Sequence, residues 1–146
     1  PGNNPFAPAF FFGSEPGDMT VGFGVMGLKG PALARFRAFV DKWGDLLVDA
    51  IGKADMHWSD WGPVPLKRVP SPFEQDHAHA EILKKKSMIV ATKLDEAWRD
   101  GQDGLVSAVR RNFDDDVKLF RRFAARTNGF VAHVFLPLRF KLNLKN

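Results

Sequence analysis

The chain has 146 residues, is 45% hydrophobic, and sets 21 Lys and Arg against 17 Asp and Glu for a net charge of +4. That is one domain's worth of chain, long enough to bury a core, and its interspersed charges do not form the concentrated basic stripe of a nucleic-acid binder. With no cysteine it can form no disulfide, thiolate metal site or thiol nucleophile, and it contains no apolar run of about 18 residues that would cross a membrane.

The first residues, PGNNPFAP, read as an extended loop and lack the charged start of a signal peptide. With the absence of cysteine, that leads to the expectation of a cytoplasmic protein. A start other than Met suggests a processed, trimmed or fragmentary N-terminus. Two apolar runs flank Glu15-Pro16-Gly17-Asp18, so a hairpin is expected, the first arm ending near Gly13 and the second spanning Met19–Met26. Val21, Phe23 and Val25 share one face of the second arm and Gly22 and Gly24 the other, which implies close packing over the glycines. Gly22, Gly24 and Gly27 match G-x-G-x-x-G by spacing, but the first two fall inside the strand rather than at a strand-to-helix turn. The phosphate-loop reading is therefore set aside.

Gly30-Pro31 opens a helix expected over 31–54, its apolar face carried by Leu33, Phe36, Val40, Trp43, Leu47, Val48 and Ile51, with an interruption at Gly44. Residues 55–65 read as a loop. Its Trp58 and Trp61 are expected to lid the core, with stacking on a ligand as the alternative. His57 is expected at the surface.

Leu66–Ser87 is the densest stretch. Leu66–Val69 reads as a short strand between Pro65 and Pro70. Residues 72–75 read as a turn, and Asp76 as the N-cap of a helix over 77–86. On such a helix His77 and His79 point to different faces, so they do not read as a metal pair, and no third ligand stands at a motif spacing. Glu81 and Lys85 form an i, i+4 pair, and Lys84–Lys86 close the helix at the negative end of its dipole. Ser87–Leu94 reads as a strand.

The long helix is expected at about 104–126, where Leu105, Val109, Phe113, Val117, Phe120 and Ala124 repeat at helical spacing. Asp114–Asp116 fan over about 200° of such a helix, so they read as a solvated face rather than a metal triad. Val134, Leu136, Leu138, Phe140, Leu142 and Leu144 fall on one side of a period of two whose other side is partly cationic, a strand pattern with Pro137 at an edge, and self-association through 134–144 is conceivable. The sum is an α+β single domain over 1–146: a small, mostly antiparallel sheet packed against two to three helices.

Two segments together resemble a known family of bacterial conserved hypothetical proteins, DUF2461. The aromatic strand at Phe10, Glu15-Pro16-Gly17 and Val21-Gly22-Phe23-Gly24 look like the family's strand pair. Leu66-Lys67-Arg68, Pro70, Phe73, Asp76-His77, Glu81-Ile82-Leu83 and Lys86 look like its second motif. Ala78 stands where the family tends to have Pro, and Pro72 where it tends to have Gly. Pro31 lies a few residues further past Gly24 than is usual. The family's Arg-, Asp-, Lys- and Tyr-rich N-terminal signature has no counterpart in this Tyr-free chain. The resemblance covers about 8–126, leaves the tail at 127–146 unmatched, and implies the C-terminal portion of such a domain. It brings a fold and no activity.

Three functions compete. The first is a binding domain for an anionic small molecule or phosphate-bearing ligand, using Lys67, Arg68, His77 and Lys86. The second is an enzyme with His77 as its acid or base and Asp76 or Glu15 as the orienting carboxylate. The third is an interaction protein pairing through its C-terminal edge strand. No cofactor or metal is expected, and nucleic acid is the less favoured partner.

Overall fold

The computed structural model describes residues 9–94. The expected long helix at 104–126 and the alternating stretch at 134–144 lie outside the described residues.

Alternation drives the sheet. Strands β1 (Ala9–Glu15) and β2 (Asp18–Val25) form the expected hairpin, turning through Pro16-Gly17, with Phe12 opposite Val21 and Gly13 opposite Thr20. Strand β4 (Met88–Lys93) runs antiparallel along the other side of β2, placing Phe23 opposite Val90 and Val25 opposite Met88. A two-residue strand, β3 (His57–Trp58), completes the order β1-β2-β4-β3. That segment lies within the expected loop 55–65, because two residues are too short to show a period.

Between β2 and β4 runs the helix α1 (Gly30–Lys53), with Pro31 in its first turn. Its buried face is Phe36, Phe39, Val40, Gly44, Leu47, Ala50 and Ile51, recurring at three and four residues. Trp43 leaves helical geometry at φ −129° and ψ 17°, so the expected interruption falls beside Gly44. The kink changes the phase of the stripe: Val48, expected inside, is 46% exposed, and Ala50 is buried instead.

The inner face of the sheet meets this helix. Phe23, Val25, Met88 and Val90 pack with Phe36, Val40 and Leu47, together with Ile82 and Leu83 from the short helix α2 (Ala80–Leu83). Phe23, Phe36, Leu47 and Leu83 are among the fully buried side chains, and each contributes about 1.5–3 kcal/mol by leaving water. The outer face has small residues at Gly22 and Gly24, as the pattern implied. The Phe11 ring lies over Gly22, and a β-carbon on Gly24 would fall 1.9 Å from the Met88 carbonyl oxygen. Both glycines lie within β2 and α1 begins only at Gly30, so no strand-to-helix phosphate loop forms at their spacing. Among the described residues, no helix is long and apolar enough to cross a membrane.

The Leu66–Ser87 stretch departs from its expected structure in two places. Leu66–Val69 is not a strand, because no neighbouring strand among the described residues supplies partners and Gln75 takes that role instead. The helix expected at 77–86 shrinks to α2, whose N-cap position is His79 with no side-chain cap. Asp76 is exposed in a turn three residues upstream and caps nothing. A run of tight turns, with Phe73, His77 and Ala80 N–H groups bonded to the Pro70, Glu74 and His77 carbonyls, replaces the missing helix.

Candidate functional site

Backbone bonds assemble three separated segments. The Leu66 N–H donates to the Lys84 carbonyl at 2.9 Å, and the Leu28 N–H donates to the Lys86 carbonyl at 2.7 Å. The Gly27 N–H donates to Ser87 Oγ at 2.9 Å, which satisfies a buried hydroxyl. Segments 27–29, 66–68 and 84–87 therefore lie side by side and bring with them Lys29, Lys67, Arg68 and the Lys84–Lys86 run.

These cations divide into engaged and open ones. Lys84 pairs with Glu81, the i, i+3 neighbour, where the full helix would have paired Glu81 with Lys85. Lys85 instead lies 5.6 Å from the centroid of the Trp58 ring. Among the described residues, Lys29, Lys67, Arg68 and Lys86 form no ion pair, and Lys67 and Arg68 are exposed.

Gln75 fixes the turn that follows Arg68. Its Oε1 accepts the Val69 N–H at 3.1 Å and its Nε2 donates to the Val69 carbonyl at 2.8 Å, as a strand partner would. Val69 is buried, so both backbone groups depend on this side chain. Replacing Gln75 with Ala is expected to lower stability by about 1–3 kcal/mol, read as a lower urea midpoint at unchanged slope.

The histidines belong to a different structure. Because residues 77–79 are turns rather than helix, both imidazoles reach α1, correcting the expectation that they diverge. His77 Nε2 lies 3.2 Å from Asp41 Oδ1, and His79 Nε2 lies 2.9 Å from Asp45 Oδ1. The two rings are 5.8 Å apart. The His79 N–H donates to His77 Nδ1 at 2.9 Å, so Nδ1 presents a lone pair and the His77 ring proton sits on Nε2, facing Asp41. Both nitrogens of His77 are thereby engaged. Its carboxylate partner is Asp41, while Asp76 stays exposed and unpaired with it, and Glu15 stands at the end of the β1–β2 hairpin. In this geometry His77 docks the turn onto α1 and has no ring nitrogen to offer a substrate.

One turn nearer the start of α1, Arg37 extends the same seam. Its Nε donates to the Leu83 carbonyl at 3.0 Å, while Nη2 is out of contact with solvent and has no partner among the described residues. Desolvation by burial lowers its pKa from the ordinary arginine value. Arg37, Asp41 and Asp45 are four residues apart, one polar row down α1, and Gly44 leaves room for the His79 ring beside it. Among the described residues, no group of three or more His, Cys, Asp or Glu is placed to hold a metal ion.

Of the residues expected from sequence, Lys67-Arg68 and Lys86 lie on segments that the Leu66–Lys84 backbone bond joins; His77 pairs with α1 instead, Asp76 is exposed in a turn, and Glu15 stands at the β1–β2 hairpin. Sequence reasoning missed Lys29, Asp41, Asp45 and Gln75. The i, i+4 row of Arg37, Asp41 and Asp45 beside the apolar stripe of α1 was the available signal for two of them.

The family model of a conserved hypothetical protein, DUF2461, matches residues 2–123. The chain belongs to the DUF2461 family. The match covers both motifs on which the resemblance rested, and it starts at residue 2, so the narrower expectation of a C-terminal portion is not borne out. Neither the curated proteins nor the solved structures supply a match. The Leu-Lys-Arg and Asp-His stretches of this DUF2461 chain thus have distinct physical roles: the first supplies cations without an ion-pair partner among the described residues, and His77 of the second clasps the turn to α1.

Proposed function

We propose that this DUF2461 protein is a binding domain for a phosphate-bearing ligand, taken up on the cationic surface of Lys29, Lys67, Arg68 and Lys86. The observation that carries the reading is the Leu66 N–H to Lys84 carbonyl bond, which draws Lys67-Arg68 and the Lys84–Lys86 run together although they are separate in sequence. Cations without carboxylate partners are free to meet an anion, and the Arg guanidinium is suited to a bidentate grip on phosphate. His77 is not used in this reading. A bacterial cytoplasmic setting accords with a cysteine-free chain.

The test is a thermal-shift titration with inorganic phosphate, pyrophosphate, a nucleoside triphosphate and a short single-stranded oligonucleotide. A ligand at a hundredfold excess over its Kd adds about 2.7 kcal/mol to folding stability, which raises the melting temperature. The Lys67→Ala/Arg68→Ala variant is expected to melt normally without ligand and to bind at least about tenfold more weakly. Response to the oligonucleotide alone would assign the surface to nucleic acid. No response to any of the four, or an unchanged affinity in the double variant, would sink the reading.

A further inference from the structure

On the face of the sheet away from α1 lies a hollow of about 260 Å³, bordered by Glu15, Thr20, His57, Asp60, Trp61 and Lys93. The register explains the opening. Gly13 pairs with Thr20, Thr20 with Lys93, and His57 with Ala91, so the floor is made of small side chains where the flanking loop rises above it. That loop is pinned in place: the Ser59 N–H donates to the Ile89 carbonyl at 2.9 Å, and the Trp61 N–H donates to Ser59 Oγ at 3.1 Å. The Trp61 ring rests against Phe11 at 4.8 Å between centroids, and a β-carbon on Gly13 would lie 3.1 Å from its outer edge. Trp61 is nevertheless 48% exposed, one of the exposed large hydrophobic residues of the described chain, although it is held by the fold.

The charges around it have a sign opposite to that of the whole chain. Lys93, the lysine of the hollow, is bound to Asp18 at 2.8 Å. The hydrogen bond it donates to Asp18, then the charge of Asp18, and then that of Glu15 raise the Lys93 pKa above its usual value, so the ammonium is already committed. Glu15 and Asp60 have no ion-pair partner among the described residues. Two open carboxylates beside an open indole, on a protein of net charge +4, repel the anions that suit the Lys67 surface and suit a cation.

We propose that this hollow is a second binding site, for a small organic cation of the alkylammonium type, with Trp61 as its aromatic wall and Glu15 and Asp60 as its counter-charges. The proposal is independent of the phosphate reading. A preformed recess with an aromatic wall and a few polar groups is the usual architecture of a small-ligand site. Cation–π attraction supplies the preference for charge over mere apolar bulk.

The experiment uses the full chain labelled with nitrogen-15 and follows its indole N–H signals. The Trp61 signal is identified by its loss in Trp61→Leu. Choline is the probe and 3,3-dimethylbutan-1-ol its neutral isostere. Choline is expected to move the Trp61 signal saturably while the isostere leaves it unchanged. Asp60→Asn and Glu15→Gln, both at exposed positions, are each expected to weaken choline by about three- to fivefold. Lys67→Ala/Arg68→Ala should leave choline affinity as it is. Equal shifts from choline and its isostere would make the hollow an apolar recess only. Unchanged affinity in both carboxylate variants, or a shift with glucose and none with choline, would likewise overturn the proposal.

Discussion

Replacing Gly24 with Ala is expected to cost about 3–5 kcal/mol, a large share of the stability of a single domain. Two penalties coincide at this position. Gly24 has φ +153°, a conformation that side-chain-bearing residues rarely adopt, and its β-carbon would lie 1.9 Å from the Met88 carbonyl oxygen and 2.7 Å from the Ile89 Cα. These are backbone atoms of β4, so no rotamer change relieves the clash. The β2–β4 pairing at the centre of the sheet would have to open instead. Urea unfolding checks this: a midpoint shift worth less than about 1 kcal/mol at unchanged slope would show that β4 yields easily. The neighbouring Gly22→Ala is a useful contrast, since its nearest obstacle is the tip of the Phe11 ring, 2.3 Å away, with the Val90 carbonyl close behind at 2.6 Å.

Gly24 also marks how far the sequence could be read. Alternation of Val21, Phe23 and Val25 with small residues showed both the strand and the closeness of its neighbour, because a period of two is a local property. The same holds for the first half of α1, whose stripe follows from spacing; beyond the interruption near Gly44 the phase shifts, and Ala50 is buried where Val48 was expected. What could not be read depended on distant partners. Asp76 has the chemistry of an N-cap, but the helix it would cap loses its first three residues, where His77 and His79 gain carboxylate partners on α1. Leu66–Val69 has a strand's composition, yet no described strand lies beside it, and a glutamine six residues on from Val69 supplies the backbone's partners.

The candidate surface divides in the same way. Lys67 and Arg68 stood out in sequence as cations before a turn, and Lys86 as the end of a lysine run. That their segments are joined to the one carrying Lys29 depends on the Leu28–Lys86 and Leu66–Lys84 backbone bonds, which no local pattern encodes. The hollow above the sheet was legible only as a question about Trp61. Its small floor is a product of strand register, which sets Gly13 beside Thr20 and Ala91 beside His57.

The seam between α1 and the 77–83 segment makes the second large prediction, and its sign runs against intrinsic propensity. In a helix, Gly→Ala normally stabilises by about 1 kcal/mol. Gly44→Ala is expected to destabilise by about 1–2 kcal/mol instead, because the new β-carbon would lie 2.1 Å from His79 Cδ2 and 2.6 Å from its Nε2. The ring would have to leave Asp45, and its backbone N–H would be drawn away from His77 Nδ1. A double-mutant cycle isolates the cause. In a His79→Ala background the obstacle is gone, so Gly44→Ala should recover its ordinary helix gain and become stabilising, giving a coupling of about 2–3 kcal/mol. Stabilisation by Gly44→Ala in both backgrounds would mean that His79 is not docked against the kink. Destabilisation in both would place the penalty in the backbone at Trp43, where φ is −129°, rather than in the imidazole. The distinction reaches the cationic surface, since Lys84–Lys86 follow directly on the segment that His79 anchors. A loosened clasp should therefore weaken the proposed phosphate binding without touching any cation, whereas a strained backbone at Trp43 should leave that proposed binding intact.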